Sequence, residues 1–201
     1  MRSTFSILAM ISAVPALADG TRQLDTHEHG VGALSIAIEG TTVAMELLAP
    51  GADIVGFEYV AESEEDRMAV DSAVAKLAAP LNLFVIPDAA ECSVTQASAS
   101  LKSEEDHDDH DDHEEAKHDD HDDHEEHAEH DDHADEAMHT EFHAESTLTC
   151  ANPNGLTEIS FAYFDAFENA RELDVQIITD SGAQAFEVTR DDPVLDLRSL
   201  F

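Results

Sequence analysis

The chain has 201 residues, of which 46 are Asp or Glu and 9 are Lys or Arg, so its formal net charge is −37. Such a charge disfavours binding to nucleic acid or to an anionic lipid surface, and it attracts cations. Without the N-terminal segment and the histidine-rich tract described below, about 150 residues remain, which is enough for one domain with an ordinary core.

The N-terminal segment has the pattern of a signal peptide. An apolar run from Phe5 to Val14 is followed by Ala16-Leu17-Ala18, which forms a small-x-small cleavage site. The run is too short to span a membrane, and no later stretch reaches the roughly 18 apolar residues that a span needs. We therefore expect cleavage after Ala18 and export of residues 19–201 to the periplasm, without membrane insertion.

The mature chain is predicted to begin with a β-hairpin. Val31 to Ile38 alternates apolar and polar residues, so Leu34, Ile36 and Ile38 share one face. A turn at Glu39-Gly40-Thr41 then allows Thr42 to Leu48 to return as the second strand.

A single helix is predicted to begin after Ser63, which with Asp66 resembles a capping signal, and to end before Pro80. After it, Leu81 to Ile86 forms a short apolar run, and Cys92 to Ser98 alternates like a strand. The apolar stripe of the helix is imperfect and consists of Met68, Val74, Leu77 and Ala78.

Between Glu104 and Glu136, nine histidines stand among twenty acidic residues in repeats of His-Asp-Asp-His. Because the segment has high net charge and no β-branched residues, we predict that residues 101–138 form an insert that is disordered without metal. Imidazole and carboxylate suit Zn²⁺ best, with Ni²⁺ and Cu²⁺ as competitors, whereas an ordinary acidic linker rarely repeats His at fixed spacing. The candidate ligands are His107, His110, His113, His118, His121, His124, His127, His130 and His133.

The two cysteines, Cys92 and Cys150, lie on either side of this insert. In an exported protein, an isolated pair most simply forms one disulfide, although ligation of metal by both thiols is an alternative. The bridge is expected to clamp the two ends of the insert together, so that the insert leaves one point of a single folded domain.

Strands are predicted again after the insert. In the first of them Phe142, Ala144, Ser146, Leu148 and Cys150 share one face. Further strands are predicted at 157–164, 173–179 and 183–189, the last two joined by a turn. The whole pattern indicates an α+β domain that is mainly antiparallel β and sandwich-like, with one helix.

Four histidines outside the tract are candidates for an ordered metal site. His27 and His29 point the same way in an extended chain, and His139 and His143, with Glu141, lie opposite the apolar face of their strand. If the two strands are neighbours, the imidazoles and carboxylates exceed what a tetrahedral Zn²⁺ needs. If they are not, these are two pairs of solvent-exposed histidines.

Four segments on the two sides of the tract form a recognisable set: His27–Gly30, Gly56–Tyr59, His139–Glu145 with Cys150, and Leu173–Gln176. Together they resemble the ZrgA-like family of zinc-regulated periplasmic proteins that assist zinc uptake. The resemblance implies zinc binding and support of a high-affinity zinc ABC importer or its binding protein. The chain departs from the family pattern at Tyr59, where His is frequent, so His27, His29, His143 or Glu58 would complete the ligand shell.

Three classes of function follow from these patterns. The first is a periplasmic protein that captures or buffers Zn²⁺ and supports its delivery to the importer. The second is sequestration of nickel or copper, or general metal storage, because Cu²⁺ binds such ligands more tightly than Zn²⁺. An enzyme is not expected, since the chain has neither a His-Glu-x-x-His motif nor a nucleophile elbow.

Overall fold

The computed structural model describes residues 29–103 and 139–200. The predicted signal peptide, His27 and all nine histidines of the tract lie outside these residues. Within them, no helix combines the length and the apolar character that crossing a membrane requires.

Strands dominate the part of the chain that the structure describes. They are β1 (Val31–Glu39), β2 (Thr42–Pro50), β3 (Phe84–Val85), β4 (Cys92–Ser103), β5 (Thr140–Cys150), β6 (Glu158–Phe161), β7 (Glu172–Thr179), β8 (Gly182–Thr189) and β9 (Val194–Asp196). The helices are α1 (Gly51–Ile54), α2 (Glu64–Leu77), α3 (Pro80–Leu83) and α4 (Tyr163–Ala166).

The strands form two sheets. The larger sheet has the order β4-β5-β2-β1-β7-β8, and the smaller has the order β3-β6-β9. All pairs are antiparallel except β1 with β7, which is parallel. The predicted class, mainly antiparallel β with one long helix, is confirmed for the described residues.

One face of the larger sheet is buried. Leu34, Ile36 and Ile38 lie in the core as predicted, because period-two alternation directs them all to one side of β1. The predicted apolar face of β5 is also buried, apart from half-buried Ser146. Residues of both sheets belong to the same core, which includes Phe84 and Phe161 of the smaller sheet.

Two short helices were not predicted. The run from Leu81 to Ile86 begins within α3, since Pro80 starts a new helical turn where it was expected only to end the previous helix. The predicted strand 157–164 stops at Phe161 and continues into α4. Tyr163 and Phe164 are both buried, and consecutive side chains cannot both face the core from a regular strand.

The predicted start of the long helix is confirmed, because Ser63 Oγ accepts a hydrogen bond from the Asp66 N–H at 3.0 Å. The predicted stripe is wrong at Met68, which is 62% exposed. Helix α2 buries Ala73 and Leu77 near its C-terminal end, so its first turns need no apolar face.

The predicted disulfide between Cys92 and Cys150 is present, and the two residues pair directly across β4 and β5. It does not clamp the ends of the insert, because it lies at the opposite end of this strand pair. At the end next to the insert, Ser103 pairs with Thr140, so strand pairing holds the chain on both sides of the tract. Strand β4 thus extends three residues into the range predicted as the insert.

Candidate metal centre

The described histidines and several acidic residues meet at one end of the larger sheet. Strands β1, β5 and β7 begin at this end, and β2 and β4 finish there, because β1 and β5 are both antiparallel to β2 while β7 is parallel to β1. We call it the site end. His29 immediately precedes β1, and His139 immediately precedes β5. The two strands are separated by β2, so they are near but not adjacent.

Glu58 joins the two histidines. Its Oε2 lies 2.8 Å from His139 Nδ1, and its Oε1 lies 3.5 Å from His29 Nδ1. The Glu58 side chain is only 14% exposed, whereas those of His29 and His139 are 65% and 42% exposed. We call these three residues the Glu58 junction. One mostly buried carboxylate therefore gathers two imidazoles that remain accessible from solvent.

The chain after β2 is shaped to bring Glu58 to this position. Helix α1 abuts β5 so closely that a Cβ on Gly51 would lie 2.4 Å from Thr140 Oγ1 and 2.7 Å from the Phe57 carbonyl oxygen. Glycine is therefore required where α1 meets the start of β5. The Phe57 and Tyr59 rings stack at 4.7 Å between centroids and support the loop that carries Glu58.

A second pair lies further along β5. His143 Nε2 is 2.5 Å from Glu141 Oε2, and both side chains are partly buried. Glu141 and His143 share the face opposite the apolar one, as the alternation of the strand requires. Among the predicted ligands, the structure thus brings together His29, Glu58 and His139, and pairs His143 with Glu141.

Four buried side-chain oxygens in the described residues have no hydrogen-bond partner. Buried polar atoms are normally paired, so a group of unpaired ones often marks a place where water or an ion completes the set. Thr140 follows His139 in the chain, and Tyr163 lies close enough to Asp53 for the carboxylate to raise its pKa further beyond the effect of burial. The four atoms are Asp53 Oδ2, Glu58 Oε1, Thr140 Oγ1 and Tyr163 Oη.

Asp53 was not among the predicted site residues. It lies in α1 with only 2% of its surface exposed, and its Oδ1 accepts a hydrogen bond from the Gly30 N–H at 2.7 Å. Gly30 has a φ of +96°, a conformation that lets the chain turn from His29 into β1. A single carboxylate inside the apolar run Leu47–Val55 was the available signal in the sequence.

Burial raises the pKa of the Asp53 carboxyl group, and the hydrogen bond from Gly30 opposes this rise. The nearby charges act in opposite directions, because His29 and Arg171 lower the pKa of Asp53 while Glu58 raises it. Asp53 is thus a buried acid within electrostatic reach of two members of the Glu58 junction.

A cavity of about 310 Å³ opens beside His29 at the site end. Asn169 fixes part of its wall, since its Nδ2 donates a hydrogen bond to the Ala52 carbonyl at 3.0 Å. The buried Asp53 forms part of the cavity wall. Its polar lining consists of His29, Asp53, Glu168, Asn169 and Arg171.

Replacing Asp53 by Asn is expected to stabilise the metal-free protein at neutral pH, by on the order of 1 kcal/mol, because a buried charge is removed while an acceptor for Gly30 remains. The folded state raises the pKa of Asp53, so wild-type stability falls as the pH rises from the ordinary pKa toward the raised pKa of the folded state. The advantage of the variant should therefore shrink as the pH falls toward 3.8, the ordinary pKa. Thermal melts between pH 4 and 7 with a chelator present measure the difference in stability between the variant and wild type. A variant less stable than wild type at every pH would contradict this prediction.

A further acidic group lies at the start of β7 and the end of β8. Glu172, Asp174 and Glu187 place one carboxylate oxygen each within 4.8 Å of one another, and no other three candidate ligand side chains in residues 29–103 and 139–200 lie so close together. Two of the three are exposed, and the group contains no imidazole. Exposed carboxylates of this kind are common on acidic proteins, so the group by itself indicates no site.

The Glu58 junction has the chemistry of a site for a borderline divalent cation. Two imidazole nitrogens and a carboxylate are the donors that Zn²⁺ prefers outside thiolate sites. The carboxylate can bind the ion directly, or it can accept a hydrogen bond from Nδ1–H and so direct Nε2 toward the ion. In either role Glu58 holds both imidazoles.

A search of curated proteins finds no match to the chain. A family model described as "ZrgA family zinc uptake protein" matches residues 26–197. The match includes the Glu58 junction, the histidine-rich tract and all nine strands. Because it covers most of the chain, on both sides of the tract, the chain belongs to the ZrgA family of zinc uptake proteins.

Proposed function

We propose that this protein captures Zn²⁺ in the periplasm and supports its delivery to a high-affinity zinc ABC importer. The tract collects ions with many histidines, and the Glu58 junction holds one ion more tightly. No catalytic step belongs to the proposal. The observation that carries it is the convergence of His29 and His139 on one carboxylate, at the same sheet end where the tract leaves the fold.

The geometry supports a difference in affinity between the two regions. Imidazoles at the starts of β1 and β5 lose little conformational freedom when they bind an ion, because the adjoining strands already fix their backbones. If the tract is disordered without metal, as its sequence predicts, its ligands must lose that freedom at each binding event. An ordered junction is therefore suited to retention, and a repetitive tract is suited to capacity.

The position of the tract supports transfer between them. Ser103 and His139 flank it, and Ser103 pairs with Thr140 at the site end. His139 lies three residues beyond the end of the tract and is also a member of the Glu58 junction. An ion released near the tract is close to the junction without diffusing around the protein.

Growth of the source organism under zinc limitation tests this function. Deleting the gene should slow growth in chelator-treated medium, and added Zn²⁺ should restore it. The wild-type gene should rescue the deletion, whereas a gene carrying Glu58→Gln should rescue it less well. Equal growth of all strains at every zinc concentration would contradict a role in zinc uptake.

Sequestration of nickel or copper, or general metal storage, is the second candidate, because imidazole-rich sites also bind Ni²⁺ and Cu²⁺. Growth under nickel or copper excess separates it from zinc uptake. Sensitivity of the deletion strain to these metals, with no defect under zinc limitation, would favour sequestration. A hydrolase screen on the zinc-loaded protein should give no activity.

A further inference from the structure

We propose that Asp53 is a positioning residue of the Glu58 junction: it holds His29 beside Glu58 through the backbone of Gly30, and it does not bind the ion itself. The inference deepens the proposed function and rests on it, because His29 is one of the two imidazoles that the junction offers to zinc. It also gives a reason for a buried carboxylate in α1, where an apolar side chain would cost less free energy to bury.

The first support is the hydrogen bond between Asp53 and Gly30. Asp53 Oδ1 accepts the Gly30 N–H at 2.7 Å, and Asp53 is almost completely buried. A peptide group is planar, so the atom that binds the Gly30 N–H also fixes the plane that contains the Cα of His29. Asp53 therefore acts directly on the backbone from which the His29 imidazole projects.

The second support is that the next peptide group is held as well. The Gly30 carbonyl accepts hydrogen bonds from the N–H groups of Arg171 and Glu172, both at 2.9 Å. The peptide planes on the two sides of the Gly30 Cα are thus fixed, one by Asp53 and the other by the start of β7. Between them Gly30 has a φ of +96°, which a residue with a side chain rarely adopts. Loss of Asp53 would remove the restraint on rotation of the first plane about the N–Cα bond of Gly30.

The third support is the position of helix α1, which carries Asp53. Gly51 of this helix lies against Thr140 and the Phe57 carbonyl, which are the chain neighbours of two members of the junction. Through Asp53 the helix also holds Gly30, the chain neighbour of the third member. One short helix therefore contacts the residue next to each member of the Glu58 junction.

His29 is the imidazole that depends more on such support. Its Nδ1 lies 3.5 Å from Glu58 Oε1, whereas His139 Nδ1 lies 2.8 Å from Glu58 Oε2, and its side chain is the more exposed of the two. A loosely paired side chain takes its position mainly from its backbone. Fixing that backbone before the ion arrives reduces the conformational entropy lost on binding. Removal of Asp53 should therefore weaken zinc binding without removing a ligand.

The test uses the full mature chain, metal-free and with zinc chloride in a chelator buffer. Asp53→Asn keeps an acceptor for Gly30, and Asp53→Ala does not. Hydrogen exchange of the Gly30 amide, followed by NMR, reports the hydrogen bond in the metal-free protein, and competition with the chelator gives the Kd of the tightest ion. The control for lost stability is Ile38→Val, a change in the core at the end of β1 that lies away from the junction.

For Asp53→Ala we expect faster exchange of the Gly30 amide and a Kd raised about tenfold, the lower end of the range for groups that orient metal ligands. The Glu172 amide should stay protected, because β1 and β7 remain paired. Asp53→Asn should bind zinc as wild type does, and Ile38→Val should do so despite a lower Tm. If Asp53→Ala binds like wild type, or if Asp53→Asn is as impaired as Asp53→Ala, the inference is overturned.

A double-mutant cycle shows whether Asp53 acts through His29. In a His29→Ala background, Asp53→Ala should cause no further rise in Kd. A rise there as large as in the wild-type background would mean that Asp53 acts in another way, and it would overturn the inference.

The two proposals fail in different ways. If the wild-type chain has no tight zinc ion that Glu58→Gln weakens, the ordered zinc site itself is wrong and the Asp53 inference falls with it. If Glu58→Gln weakens binding and Asp53→Ala does not, only the Asp53 inference fails.

Discussion

Replacing Glu58 by Gln is expected to raise the Kd of the tightest zinc ion by about 10- to 100-fold, the range found when a group that binds or orients metal ligands is removed. Glutamine has the same shape, but it carries no charge and cannot hold both His29 and His139 as a carboxylate does. Replacing both histidines by Ala should abolish tight binding. Chelator-competition titration measures each Kd.

The matched control is Glu46→Gln. Glu46 is exposed on β2 and lies away from the junction, and its replacement changes the net charge by the same amount. Its Kd should equal that of wild type. A loss of affinity as large in Glu46→Gln as in Glu58→Gln would mean that total negative charge, and not the junction, determines binding.

Replacing residues 104–136 by a short Gly-Ser linker is expected to remove most of the zinc capacity while leaving one tight ion. If two or three histidines bind each ion, nine histidines account for about three to four ions per chain. Ser103 and Thr140 are paired, so a short linker can join β4 to β5 without disturbing the sheet. Zinc bound per chain is measured by equilibrium dialysis and metal analysis.

A control for this replacement keeps the length and the acidic residues of the tract but changes its nine histidines to Asn. It should lose the same capacity, since the imidazoles and not the carboxylates are expected to bind zinc. Loss of all binding when the tract is replaced would contradict an ordered site. Unchanged zinc capacity in the histidine-free version would mean that the carboxylates of the tract, and not its histidines, bind the zinc.

The elements that the sequence predicts well are those whose pattern is local. Alternation in β1 and β5 depends only on which side faces the core, and the Ser63 cap depends on residues three apart. The turns of α3 and α4 were missed because a short apolar run is compatible with strand and helix alike. Only the packing of the two sheets decides whether such a run forms a strand or a helical turn.

The site was predictable in part. The pairs around His29 and His139 were identified as candidates, and Glu58 came from the family resemblance. Their meeting depends on β2 lying between β1 and β5, and on α1 returning the chain to the same end of the sheet. Asp53 was missed because its burial and its bond to Gly30 arise from residues 23 positions apart. No local pattern contains that information.

The pairing of Ser103 with Thr140 has a consequence for how this family can diversify. A segment whose two ends are held side by side can change length at little thermodynamic cost, since each doubling of a flexible loop costs only about 0.6 kcal/mol. Duplication or loss of His-Asp-Asp-His units is therefore nearly neutral for folding. If the tract binds zinc as we propose, a change in repeat number would alter how many ions it holds and would leave the ordered domain unchanged.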